Sequence, residues 1–412
     1  MQTRTLLVLI AMLTIVSVGS AQYEDWNITG AGARAEGLGG AFIGLADDAT
    51  AISWNPSGLG QLERTEFSAV GRWMQQDFKE TSSESSGDLY SLTQSQFTYN
   101  FASIAFPLHA GKINIVPAVA FQKQLDEYAR FSNDYLTYES EGAANTITPG
   151  IGIKLHPMFY IGGAVNIWLG NIKNKYAYKS SYAGTNYNFS SSFDAKFSGL
   201  NFTAGLLVDF EGMKRPIPIK FGASLRTPFE LTYEGDYLNV STGDPDEKGK
   251  FSNTIEMPLM FGFGASGRLL ENLTISADFE MRLYGDKRVF YSRNGSGVDT
   301  SDMSPSKSDQ KQVRVGAEYL IVTSAGIIPI RAGFRTVPTL LSDYNNGKYT
   351  DPVSGTGFTV GTGFISQAFA FDVAYSRSTY EAGTRYDYEG TLSTYTDKYT
   401  LQIVSASVIV YF

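Results

Sequence analysis

Ten ionisable side chains fall on one face of what reads as a series of alternating segments: Lys220, Arg226, Arg282, Arg314, Arg331 and Arg335, with Asp278, Glu280, Glu318 and Asp372. A guanidinium fork binds a carboxylate through two parallel hydrogen bonds. Arg282, Arg314, Arg331 and Arg335 are therefore candidates to take the carboxylate of an amphipathic ligand. The same charges can instead neutralise one another, brace a wall, and grip Arg34, Glu36, Asp47 and Asp48 of the N-terminal segment. The residue types alone leave both readings open.

Other chemistry is poorly provided for. The chain of 412 residues has no Cys, which removes disulfides, thiolate metal sites, thiol catalysis and a lipidated cysteine. Its two His, His109 and His156, are too few for a multi-histidine metal centre, so neither a metal nor a cofactor is expected. Asp47-Asp48 lacks the spacing of a calcium loop and is expected to be solvated surface. A net charge of −8 argues against a nucleic-acid partner.

The elements that must position the ten charges are strands. From residue 64 onward the dominant period is 2. Leu273, Ile275, Ala277, Phe279, Met281 and Leu283 alternate with Thr274, Ser276, Asp278, Glu280 and Arg282. Leu200 to Phe210 and Phe369 to Tyr375 repeat the pattern. A soluble sandwich would show the same alternation with the faces reversed. Spacing separates the two. Short connections near His109, His156, Met213, Glu271, Ala325 and Gln367 alternate with long polar ones at 75–93, 125–144, 172–194, 233–251, 291–308, 337–354 and 381–396. Short periplasmic turns and long external loops are the rule for outer-membrane barrels. The expected fold is thus all-β, a transmembrane antiparallel β-barrel of about fourteen strands. A charge on the lipid face costs about 2–4 kcal/mol at the bilayer midplane, so the ten charges must face the lumen. Both His then fall in periplasmic turns, away from the outer rim where a hydrolytic barrel would place its base, and no enzymatic activity is expected.

The ends of the chain agree. Arg4, the apolar run Leu6 to Val18 and the small residues Gly19-Ser20-Ala21 read as an export signal over 1–21. Phe412 ends an alternating strand, resembling the signal read by barrel-assembly machinery. The expected location is the outer membrane of a Gram-negative-type bacterium, with membrane lipid as the immediate partner. Pro117 stands inside the third expected strand and cannot donate a ladder hydrogen bond there.

Residues 30–60 break the strand pattern. The glycines do not follow an apolar strand and open no βαβ unit, so a phosphate loop is rejected. Asp48 to Trp54 is expected to form a short helix that Asn55-Pro56 stops. Gly32-Ala33-Arg34-Ala35, Gly37-Leu38-Gly39-Gly40-Ala41, Ala46-Asp47-Asp48-Ala49 and Trp54-Asn55-Pro56-Ser57-Gly58-Leu59 resemble the FadL-type outer-membrane transporters and the related PorV proteins. Members often carry Ala where this chain has Ser57. The close resemblance covers about thirty residues. It implies a hatch, residues 22–62, inside a fourteen-stranded barrel of residues 63–412, with Gly39, Gly40, Asp47, Asp48, Asn55 and Pro56 as the hatch motif. It implies passive transport of hydrophobic or amphipathic small molecules such as long-chain fatty acids. It also implies sideways release at a kinked third strand, which makes Pro117 the candidate break. The PorV side of the resemblance implies the alternative, a non-conducting barrel that partners secreted proteins.

Overall fold

The computed structural model describes residues 30–82, 88–111, 113–182, 185–293, 299–303, 306–345, 348–388 and 391–412. The expected export signal at 1–21 lies outside the described residues, as does 22–29.

Fourteen antiparallel strands close on themselves. They are β1 Glu66–Ser82, β2 Asp88–Ala105 continued by Leu108–Ala110, β3 Ile113–Asp126 continued by Ala129–Ser132, β4 Leu136–His156, β5 Phe159–Tyr182 and β6 Thr185–Asp209. Then follow β7 Ile219–Arg226 and Phe229–Ser241, β8 Glu247–Met257 and Met260–Leu270, β9 Leu273–Arg282 and Arg288–Arg293, and β10 Asp299–Asp302 and Gln310–Val322. The last are β11 Ile327–Asn345, β12 Lys348–Ile365, β13 Phe369–Tyr388 and β14 Thr391–Tyr411. Closure is made by β1 and β14, paired from Glu66↔Tyr411 to Ser82↔Tyr395. No sheet edge is left along this junction, as hydrocarbon requires.

The outward face of the lower strands carries exposed Phe202, Phe221, Phe263, Phe279, Val315, Ile330, Val360 and Phe371. Their inward neighbours are polar and buried, among them Asn201, Ser276, Asp278, Arg314 and Asp372. That is the polarity of a membrane barrel, and it is the reverse of a soluble sandwich.

The long connections expected at 75–93, 125–144, 172–194, 233–251, 291–308, 337–354 and 381–396 are a correction: most of their residues are strand. β5 and β6 stay paired from Phe159↔Val208 to Tyr182↔Thr185. The reason is a change of solvent. Above the lipid the outward positions meet water and become polar, as in the exposed pair Lys173 and Asp194. The inward positions become apolar and aromatic, as in Trp168, Ile172 and Phe197. Hydrogen bonding continues where the familiar hydrophobic alternation stops, so counting apolar residues ends each strand too early.

Pro117 is paired in register with Ile151 of β4. On its other side, β2 and β3 lose rungs opposite Phe106-Pro107 but keep their register, from Ala105↔Ala118 to Leu108↔Ile115. The Phe106 amide still donates to the Pro117 carbonyl at 2.9 Å. The wall is closed at Pro117.

Candidate functional site

The N-terminal segment lies inside the barrel as three short helical pieces, α1 Ala33–Gly37, α2 Ala51–Trp54 and a 3-10 turn Pro56–Gln61. The expected helix over 48–54 is present in its second half only. The segment is nearly all buried, and its backbone groups must find partners there. Wall side chains supply them. Asp278 accepts from the amides of Phe42 at 2.7 Å and Ile43 at 2.8 Å. Thr359 accepts from Gly39 N at 2.9 Å and donates to the Gly37 carbonyl at 3.0 Å. Asn114 donates to the carbonyls of Gly60 at 3.2 Å and Leu62 at 2.7 Å.

Small residues let the two backbones meet. Gly39 has φ +68, and a Cβ there would lie 2.9 Å from Phe334 N, so only glycine serves. In the wall, a Cβ on Gly162, Gly205, Gly222, Gly264, Gly316 or Gly333 would come within 2.1–2.4 Å of a hatch atom. These six positions belong to neighbouring or nearby strands from β5 to β11. They form a smooth band against which the hatch is pressed.

The remaining motif residues have distinct places. Asn55 is fully buried and donates to the carbonyls of Ile43 at 2.9 Å and Leu206 at 3.1 Å, while its own oxygen accepts from the Ser57 hydroxyl at 2.6 Å. Pro56 lies against Gly162. Gly40 packs beside Trp54 and Arg314. Asp47 and Asp48 correct the expectation of solvated surface. Asp48 is buried and accepts from the Thr50 amide and hydroxyl at 2.8 and 2.5 Å, and Asp47 pairs with Arg34 at 2.5 Å. Their partner, Arg34, is drawn from the same segment, which a count of acidic residues along the chain does not register.

Each of the four candidate arginines is ion-paired. Arg331 bridges Glu318 and Asp372, both at 2.6 Å. Glu318 also binds Arg34 at 3.1 Å, tying β10 to the hatch. Arg335 binds Glu36 at 2.9 Å. Arg282 and Arg314 share Glu280 at 2.5 and 3.2 Å. Arg314 also lies 5.5 Å over the Trp54 ring. The ten charges therefore do come together in one lumen, around and against the hatch.

Above the hatch the lumen turns apolar. Leu125, Trp168, Ile172, Phe197, Leu231, Ile255, Met257, Met260, Tyr284 and Met303 form one buried cluster, with Phe193, Phe229, Tyr233 and Phe251 packed on it. Ring pairs such as Trp168–Phe229 at 5.0 Å and Phe193–Phe251 at 5.3 Å hold it together. Sequence reasoning missed this lining. The signal was present in Phe193-x-Ala195-x-Phe197, which continues the inward face of Asn201 and Thr203. Tyr138 and Tyr176, expected on external loops, are buried in a second aromatic cluster nearer the strand tops.

A cavity of about 100 Å³ lies on the hatch, lined by Glu36, Arg72, Met74, Thr98, Asn100, Lys123, Gln124, Asp126, Arg335, Val337, Ser378, Leu401 and Ile403. It backs onto a seam in the wall. The β2–β3 ladder runs from Ala110↔Ile113, past the missing rungs at Phe106-Pro107, and ends at Phe101↔Gln122. Above that, among the described residues, β2 pairs with β1 and β3 pairs with β4, but not with each other. A bulge in β3 between Lys123 and Leu125 bends the strand where the ladder ends. Exposed Phe97 and Tyr99 form the outer lip, with the Lys123 ammonium 5.0 Å over the Tyr99 ring.

Comparison with known proteins places this architecture. No family model matches the chain, and no curated protein matches it by sequence. Solved structures do match. A Pseudomonas aeruginosa FadL homologue is 12% identical with a TM-score of 0.69, covering 91% of this chain and 97% of its own. The Pseudomonas putida toluene transporter TodX is 13% identical with a TM-score of 0.64, covering 93% and 99%. The Ralstonia pickettii toluene transporter TbuX is 16% identical with a TM-score of 0.61, covering 94% and 100%. A closed fourteen-stranded barrel with an N-terminal hatch in its lumen is, in this chain, the fold of the FadL-type transporters.

Proposed function

We propose that this protein is a passive outer-membrane transporter for hydrophobic or amphipathic small molecules, long-chain fatty acids being one fitting class. The observation that carries the reading is the change of the inward face from a charged, hatch-filled floor to a packed apolar and aromatic lining above it. The hatch blocks the straight route to the periplasm. The seam between β2 and β3 offers a sideways one, so the break belongs above Gln122 and not at Pro117. Of the four candidate arginines, Arg335 lines the cavity, with Arg72 beside it, and is the one placed to meet a ligand carboxylate. Arg331 is committed to two buried carboxylates. Lipid and barrel-assembly machinery are the partners this reading requires.

The size of the cavity favours a second reading. Ligand pockets commonly hold about 300–1,000 Å³, and this one holds about 100 Å³. A PorV-like barrel that conducts nothing and docks secreted proteins would look as closed. Native purification followed by lipid mass spectrometry and identification of attached proteins separates the two. The transport reading expects a bound fatty acid or similar amphiphile at near-stoichiometric level. An empty barrel attached to a secreted protein would replace it with the partner role.

A further inference from the structure

A second seam lies across the barrel from the first. The β10–β11 ladder runs from Val322↔Ile327 to Arg314↔Arg335 and stops there. Both strands go on. Residues 310–313 of β10 stay paired with β9, and residues 336–338 of β11 stay paired with β12. Among the described residues, no backbone rung joins β10 and β11 above Arg314. Other gaps between neighbouring strands from β6 to β10 are bounded, because pairing resumes above them. Among the described residues the β2–β3, β10–β11 and β12–β13 seams are the three whose pairing does not resume; at the third, above Thr356↔Thr379, Gly355 still lies against the Thr379 carbonyl and Val353 packs on the cluster of Phe78, Tyr380 and Tyr399.

Side chains bridge the foot of this seam. The Thr336 hydroxyl accepts from Val313 N at 2.9 Å, and the Gln312 amide donates to the Thr336 carbonyl at 2.8 Å. A rung made through a hydroxyl can open by a rotamer change, without moving the strand.

The two seams differ in their outer lips and share one interior. The lip at β2–β3 is aromatic and exposed, through Phe97 and Tyr99. The outer side at β10–β11 is mixed, with exposed Val313 beside exposed Lys311, and a Ser308–Asp351 hydrogen bond at 3.3 Å joins the approach to β10 with β12. Inside, the cavity of about 100 Å³ touches Arg335 and Val337 at the foot of one seam and Asn100 and Gln124 at the foot of the other. From this we infer that the β10–β11 seam is a water-side entrance, and that the ligand crosses the barrel through this cavity to leave between β2 and β3. The inference rests on the transport reading.

The chain has no natural cysteine, so engineered pairs form without competition. The test compares uptake of labelled oleate and of toluene by cells carrying the natural chain, V313C/T336C, or Y99C/K123C, each oxidised and reduced. Oxidised V313C/T336C is expected to cut uptake at least fivefold, with recovery on reduction. Oxidised Y99C/K123C is expected to do the same at the exit. Unchanged uptake in oxidised V313C/T336C, with the natural chain active, overturns the entrance and leaves the transport reading standing. No uptake of either probe by the natural chain removes the transport reading itself, and the entrance with it. Should the double variant fail to insert, Thr336→Val decides, since it removes the bridging hydroxyl alone. Faster uptake supports the entrance, and unchanged or slower uptake overturns it.

Discussion

Arg331→Met should lower the stability of the barrel by about 3–5 kcal/mol, the cost of leaving a buried carboxylate without its cation. Arg331 is fully buried and joins Glu318 of β10 to Asp372 of β13, each at 2.6 Å. Glu318 keeps a second cation, Arg34. Among the described residues Asp372 has no other, and it is 2% exposed. The loss should therefore fall on Asp372. Adding Asp372→Asn to Arg331→Met should recover more than half of it. Urea unfolding in detergent, followed by the heat-dependent gel shift of folded barrels, measures both. An Arg331→Met barrel as stable as the natural one would mean that the lumen network braces nothing.

Gly162→Val should unseat the hatch while leaving the barrel intact. A Cβ at Gly162 would lie 2.3 Å from the backbone of Pro56 and Ser57, too close for any side-chain adjustment. Valine suits a strand, so assembly should proceed. Overpacking of this kind costs about 1–3 kcal/mol. That shifts the seated-to-unseated ratio of the hatch by about 5- to 150-fold. Influx of a small hydrophilic solute should rise, as it should when residues 22–60 are deleted. The neighbouring Gly163 points the other way, with Thr203 O at 3.8 Å as its nearest contact, and Gly163→Val should leave influx unchanged. Equal influx in the two valine variants would contradict the glycine band as the seat of the hatch.

Much of the architecture was legible in the residues. The alternation around Phe279 and Phe371 told the lipid face from the lumen, because a charge placed outward at Asp278 or Asp372 would be costly. Strand number followed from the alternation of short and long connections. What the sequence did not display is what depends on register. Gly162, Gly205 and Gly222 are scattered in the chain and become a band only when their strands pair. The apolar lining at Phe193 and Phe197 was hidden because the polarity of the two faces inverts above the membrane. The seams were hidden too: the end of the β2–β3 ladder follows from a bulge at Lys123 to Leu125, whereas Pro117, the conspicuous strand breaker, is held in register by β4. Of the candidate site, the arginines and the hatch motif were visible as residues. The pairs that tie the wall to the hatch, Arg34–Glu318 and Arg335–Glu36, are separated by 284 and 299 residues of sequence and exist only in the closed barrel.

In the proposed function, hydrophobic molecules cross the outer membrane through this protein. The most direct measurement is the accumulation of toluene and labelled oleate by cells with and without the chain, normalised to folded barrel in the outer membrane, beside influx of a hydrophilic solute of similar size. Transport through a hatch-blocked, apolar lumen predicts a severalfold rise for at least one of the two apolar probes and no rise for the hydrophilic one. Correctly inserted barrel with no gain for either apolar probe, or an equal gain for all three, would contradict it.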